Sequence, residues 1–109
     1  MKFDMNKMLQ EAQRMQEELA KVQEEAAAEV VEASAGGGMV TVKANGAGEV
    51  LEIRIDPRAV DPDDPELLAD MVLAAVNEAL RSARSLMESK MSGIVPGDLG
   101  GLGGLLPGS

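Results

Sequence analysis

The most regular pattern in the chain is an apolar repeat near its N-terminus. Apolar residues recur there at alternating spacings of three and four, which is typical of the a/d seam of a long helix. The pattern predicts a first helix over residues 3 to about 28. The seam packs either on the chain's own sheet and second helix or on a partner chain, and the spacing leaves both open. The seam residues are Met5, Met8, Ala12, Met15, Leu19, Val22 and Ala26.

A pattern of alternating apolar and polar residues follows and predicts a three-stranded antiparallel meander with one buried face. The strands are expected over residues 29–35, 40–45 and 51–56. Glycines at 36–38 and the Asn45-Gly46-x-Gly48 sequence provide the turns, and Pro57 ends the last strand. The residues predicted to share the apolar face are Val31, Ala33, Ala35, Val40, Val42, Ala44, Leu51, Ile53 and Ile55.

A second helix is predicted over residues 65 to about 91, after a connector at residues 58–66. Asp64 is a suitable N-cap and Pro65 a suitable first helical residue. Gly93 is expected to end the helix. The predicted core stripe is Leu68, Val72, Ala75, Ala79, Ala83 and Leu86, widened near its start by Leu67, Met71 and Ala74, while Asn77, Arg81, Arg84 and Glu88 line the wet face.

These elements predict an α+β fold in which a three-stranded antiparallel meander is flanked by two long helices in the order α-β-β-β-α. Residues 1–92 form one domain, and residues 93–109 form a flexible tail rich in Gly, Leu and Pro. The 109 residues contain one Phe and no Trp or Tyr, so the core is thin. Oligomerisation is therefore an expected source of further burial, and the protomer is predicted to be dimeric.

Composition excludes several classes of function. There is no Cys and no His, which removes disulfides, thiolate metal sites and the commonest general base. The acidic residues between 61 and 70 suit the start of a helix better than a calcium loop. We therefore expect no enzyme activity, no cofactor and no metal. Without a long apolar run, no membrane span or secretion signal is expected, and the predicted location is the cytoplasm.

The charged residues allow two interpretations. The net charge is −9, whereas nucleic-acid binders usually carry a basic surface. Lys7, Arg14 and Lys21 nevertheless recur every seven residues along one side of the first helix. Each has a Glu four residues later, so the stripe is either a row of solvated ion pairs or a phosphate-binding strip with its acidic neighbours turned away.

Several short sequences together resemble the YbaB/EbfC family of small bacterial nucleoid-associated proteins. They are GGGMVTV, the N-G-x-G turn, VLEIRIDP and LLADMVLAAVNEAL, in that order. The resemblance implies a homodimer with central sheets and projecting helices that binds double-stranded DNA, alters its conformation and influences nucleoid organisation and gene expression. The candidate DNA contacts are Lys2, Lys7, Arg14, Lys21, Arg81, Arg84 and Lys90.

Two alternatives to DNA binding follow from the same residues. An acidic dimer with a Met-rich apolar seam is also suited to hold a helix of another protein, as an adaptor. A third possibility is a plain structural dimer whose tail controls higher assembly.

Overall fold

The computed structural model describes residues 4–93 and confirms the predicted order of elements. The chain forms two helices and a three-stranded antiparallel sheet. One short 3₁₀ turn, at residues 36–38, joins the first two strands, and another, at residues 57–59, lies between the last strand and the second helix. The elements are α1 (Met5–Ala28), β1 (Val30–Ala35), β2 (Val40–Asn45), β3 (Val50–Ile55) and α2 (Pro65–Ser92).

The sheet is a meander with β2 in the centre. Val40 pairs with Ile55, and Val42 pairs with Ile53. A regular ladder would continue this register by pairing Ala44 with Leu51, but a shift after Lys43 pairs Ala44 with Val50 instead. Leu51 is therefore the extra residue of a β-bulge and does not simply continue the row of Ile53 and Ile55.

The core lies between α2 and the first two strands. Val40, Val42 and Ala44 of β2 are fully buried, as predicted. They pack in one cluster with Ala75 and Ala79 of α2. Alanine at these positions lets the helix backbone approach the sheet closely, which gives the dense packing of a protein interior.

The predicted buried face does not extend to β3. All six of its residues are exposed, and Ile53 retains 46% of its accessible surface. The physical reason is that α2 lies over β1 and β2 and contacts β3 only marginally. Leu67 and Ala74, which were predicted to widen the α2 stripe into the core, are likewise exposed.

Burial along the α1 seam falls steadily from its C-terminal to its N-terminal end. Ala26 is fully buried, Leu19 and Val22 are half-buried, and Met15 and Met5 are 46% and 62% exposed. Packing within the chain therefore accounts only for the last part of the seam. The rest of the helix projects beyond the sheet with its apolar side uncovered.

The predicted turns and helix ends are present. Gly36, Gly37 and Gly38 all have positive φ, which a residue with a side chain rarely adopts. Gly93 caps the end of α2 through its N–H, and the predicted tail beyond it lies outside the described residues. Neither described helix is both long and apolar enough to cross a membrane.

Candidate nucleic-acid interface

The candidate interface is built on the projecting part of α1. Asp4 is its N-cap, and the carboxylate accepts a hydrogen bond from the Lys7 N–H at 3.1 Å. This satisfies one of the backbone donors that the first turn leaves free. With no Gly or Pro within it, the helix continues unbroken for about 36 Å.

Three of the predicted contacts lie on this helix and are exposed. Lys7 and Arg14 line one open groove together with Gln10 and Glu11. Lys21 lines a second groove nearer the sheet, where the end of α2 approaches α1. Seven residues make nearly two turns, so successive cations are separated by about 10 Å along one side of the helix. Lys2, the other predicted contact in this region, lies outside the described residues.

The predicted ion pairs with Glu residues four positions later do not form. Among residues 4–93, Lys7, Arg14 and Lys21 take part in none of the salt bridges within 4.0 Å. Each cation is therefore free to meet a phosphate without first breaking an ion pair.

The acidic neighbours, however, are not turned away from these cations. Glu11 lines the same groove as Lys7 and Arg14, and Glu18 and Glu25 line the groove of Lys21. Five glutamates outnumber the three cations of α1. Any anion that binds here must approach the cations closely enough to outweigh the repulsion from these carboxylates, which makes the interaction local and sensitive to salt.

The three predicted contacts on α2 divide into separate environments. Arg81 is paired with Glu78 one turn earlier. Lys90 is paired with Glu29 at 2.7 Å, and its side chain is only 19% exposed. Arg84 is exposed and takes part in none of the ion pairs found among residues 4–93. Of the three, Arg84 is thus the one most available to a ligand.

Three further cations near the sheet were not singled out from the sequence: Lys43, Arg54 and Arg58. Lys43 and Arg54 both contact Glu52, at 3.7 and 3.5 Å. The pairing of Lys43 with Glu52 follows from their positions opposite one another on β2 and β3. Strand register would have indicated this pair. These cations are neutralised locally and do not extend the stripe of α1.

Arg58 forms a local ion pair with Asp56. Its guanidinium contacts the carboxylate at 2.8 Å, and its backbone N–H also donates to it. These side-chain and backbone hydrogen bonds lower the pKa of Asp56 from 3.8 to about 2. The pair closes the 3₁₀ turn that leads into α2, so Arg58 has a local structural partner.

The cations of α1 can neutralise phosphates, but this helix has no aromatic side chain that could stack on a base. No aromatic side chain accompanies Lys7, Arg14 and Lys21 on α1, so base stacking is unavailable along this helix. Within residues 4–93 there is no cluster of three or more Asp and Glu residues placed to hold a metal ion. Binding through this surface therefore relies on phosphate contacts, which carry no sequence information by themselves.

Comparison with protein families gives one match over nearly the whole chain. Residues 1–99 match the model of the YbaB/EbfC DNA-binding family.

Many individual proteins are also similar to this chain. A nucleoid-associated protein of Acetivibrio thermocellus is 51% identical over 94% of this chain and 89% of its own length. A nucleoid-associated protein of Thermodesulfovibrio yellowstonii is 56% identical over 88% of this chain and 85% of its own length. A nucleoid-associated protein of Saccharopolyspora erythraea is 50% identical over 96% of this chain and 93% of its own length.

Among solved structures, an uncharacterized protein from Helicobacter pylori has a similar fold. It aligns with a TM-score of 0.78 at 21% identity, over 87% of this chain and all of that chain.

Proposed function

Because the chain belongs to the YbaB/EbfC DNA-binding family, we propose that it is a nucleoid-associated protein that binds double-stranded DNA and alters its conformation. We place it in the nucleoid of the bacterial cytoplasm, with effects on nucleoid organisation and gene expression. The family is defined by DNA binding and not by catalysis, and we propose no enzymatic role. The comparisons give the protein–protein adaptor no support.

The observation that carries this proposal is the stripe of free cations on α1. Lys7, Arg14 and Lys21 are exposed, lie on one side of a projecting helix and form no ion pair within residues 4–93. Their separation of about 10 Å corresponds to roughly three base-pair rises of B-DNA. The helix therefore follows the DNA backbone and contacts phosphates at intervals, and Arg84 is available to extend the contact from α2.

We further propose that two copies pair through β3. Ile53 and Ile55 lie on the same side of the sheet as the buried Val40 and Val42 but are not covered by α2. β3 is also an edge strand, whose backbone groups are free to pair with another chain. A second copy on this surface covers the exposed isoleucines and pairs the free strand edge. It also holds two α1 helices in one particle, where they contact a duplex at two positions.

Fluorescence anisotropy with a labelled duplex, measured from low to physiological salt, tests the DNA contacts. We expect wild-type binding to weaken with salt, with a slope of about −3 in log K against log salt for each engaged α1 helix. The triple variant Lys7→Gln, Arg14→Gln, Lys21→Gln should lose most of the affinity and most of the slope.

A matched control removes three cations elsewhere. Lys43→Gln, Arg54→Gln, Arg58→Gln changes the net charge by the same amount but leaves α1 untouched, and it should bind nearly as well as the wild type. Absence of binding at every salt concentration, or equal losses in the two triple variants, contradicts the proposed contacts.

A further inference from the structure

The tip of the β2–β3 hairpin contacts the C-terminal end of α1. The N–H of Gly46 donates to the carbonyl oxygens of Ala26 and Glu29, at 2.8 and 3.2 Å. The last carbonyls of a helix have no partner within the helix, so this turn supplies the missing donor. The hairpin thereby attaches the C-terminal end of α1 to the sheet.

Gly46 is required at this position for reasons of space. A Cβ placed on it would lie 2.8 Å from the carbonyl oxygen of Ala26, 2.9 Å from the Cβ of Ala26 and 3.0 Å from Cδ2 of Leu86. Its φ is not positive, so the backbone itself would accept another residue. The absence of a side chain is what allows α1, the hairpin and α2 to meet here. We call this meeting point, made by Ala26, Glu29, Gly46, Leu86 and Lys90, the arm root.

Two side chains, one beside the arm root and one within it, hold it in shape. Asn45 is buried, and its Oδ1 accepts hydrogen bonds from the N–H groups of Ala47 and Glu49, at 3.1 and 3.0 Å. These bonds fix the turn that presents Gly46 to α1. On the other side, Lys90 near the end of α2 pairs with Glu29, the residue that caps α1.

We propose that Asn45, Gly46 and Lys90 are positioning residues that set the direction in which α1 leaves the sheet. Lys90, predicted from sequence as a DNA contact, acts in this account through its ion pair with Glu29. The effect on DNA rests on the proposed function, because α1 carries the cations, whereas the effect on the direction of α1 does not. A helix held in one direction loses less conformational freedom on binding, so the arm root raises DNA affinity by preorganisation.

Spin-label distance measurements test the direction of α1 directly. The chain has no Cys, so the exposed positions Gln13→Cys on α1 and Asn77→Cys on α2 take labels cleanly. Labelled chains are diluted into an excess of unlabelled chains, so that only distances within one chain are measured. Gln13 lies about 20 Å from Ala26 along the helix, so a small tilt at the arm root moves its label by about 2–4 Å.

Gly46→Ala is the principal variant, and Gly48→Asn is its matched control in the same turn. A Cβ on Gly48 would contact nothing within 4 Å, and Asn tolerates the positive φ found there. We expect Gly46→Ala to shift or broaden the distance distribution and to weaken DNA binding about fivefold, and Gly48→Asn to leave both near the wild type. A folded Gly46→Ala protein with the wild-type distribution overturns the proposal.

Lys90→Gln provides a second test that leaves the hairpin intact. It should broaden the same distribution, whereas Arg84→Gln on the same helix should not, because Arg84 contributes to none of the ion pairs of residues 4–93. If Gly46→Ala fails to fold, Lys90→Gln decides alone, and an unchanged distribution overturns the proposal. If these variants change the distance distribution but the wild-type protein does not bind DNA, the role of the arm root is upheld and the proposed function is contradicted.

Discussion

The two long helices carry apolar stripes of similar regularity but use them differently. The α2 stripe is buried at Ala75, Ala79 and Ala83, where small side chains bring the helix close to the sheet. The α1 seam is buried only at Ala26 and ends in exposed methionines. The difference shows that the spacing of apolar residues predicts a helix, whereas burial depends on whether another element lies within reach.

The largest expected effect comes from enlarging a side chain in each stripe. Ala79→Leu should lower the free energy of unfolding by about 1–3 kcal/mol, because the core has no room for the added atoms. Ala12→Leu on the exposed part of the α1 seam should change it by less than about 0.5 kcal/mol. Urea denaturation measures both. Similar losses in the two variants would mean that α1 is also packed along its first half.

A second comparison shortens side chains at two positions of the same α1 seam. Val22→Ala, near the arm root, should destabilise the protein by about 1 kcal/mol through lost burial. Met8→Ala, in the projecting part, should have little effect on thermal unfolding. If Met8→Ala proves the more harmful, a surface outside this chain covers the exposed part of the seam.

The N-caps of the two helices offer a third comparison. Asp4 and Asp64 each accept a hydrogen bond from the N–H three residues later, at 3.1 and 3.2 Å. Asp64→Ala should lower global stability by about 1 kcal/mol, because α2 is part of the core. Asp4→Ala should leave global stability nearly unchanged and speed hydrogen exchange only in the first turns of α1. Equal global losses would show that the end of α1 unfolds together with the core.

The smallest effect is expected at the turn that leads into α2. The pKa of Asp56 is lowered to about 2, so its pairing with Arg58 favours the folded state above pH 4 and is lost as the pH falls through 2. Arg58→Gln should raise the Asp56 pKa back towards 3.8, as measured by NMR titration of the carboxyl carbon. A pKa that stays near 2 would show that Arg58 is not the cause.

Sequence patterns predicted the local features of this fold well. The order of elements, the turns and the α2 core stripe depend on neighbouring residues and were confirmed. The burial of β3 was predicted wrongly, because the alternation of Ile53 and Ile55 identifies a shared face but not the element that covers it. That α2 stops short of β3 is a property of the assembled fold.

The candidate site was less accessible from sequence. Heptad spacing identified Lys7, Arg14 and Lys21, but their ion pairing depends on side-chain positions that spacing does not determine. The partner of Lys90 is Glu29, which lies far away in the chain and is brought close only by the packing of α2 against α1. Asn45-Gly46 was correctly identified as a turn, but its contact with α1 has no local signal.

The proposed pairing through the open face of β3 implies that the protein's stability depends on its abundance. When two copies cover Ile53 and Ile55, each tenfold increase in concentration favours the assembled state by about 1.4 kcal/mol. The melting temperature of such a pair rises with the amount of protein present. Cells that make little of this protein would therefore hold a larger share of it as separate chains, each presenting a single α1 helix instead of the two that a pair holds together.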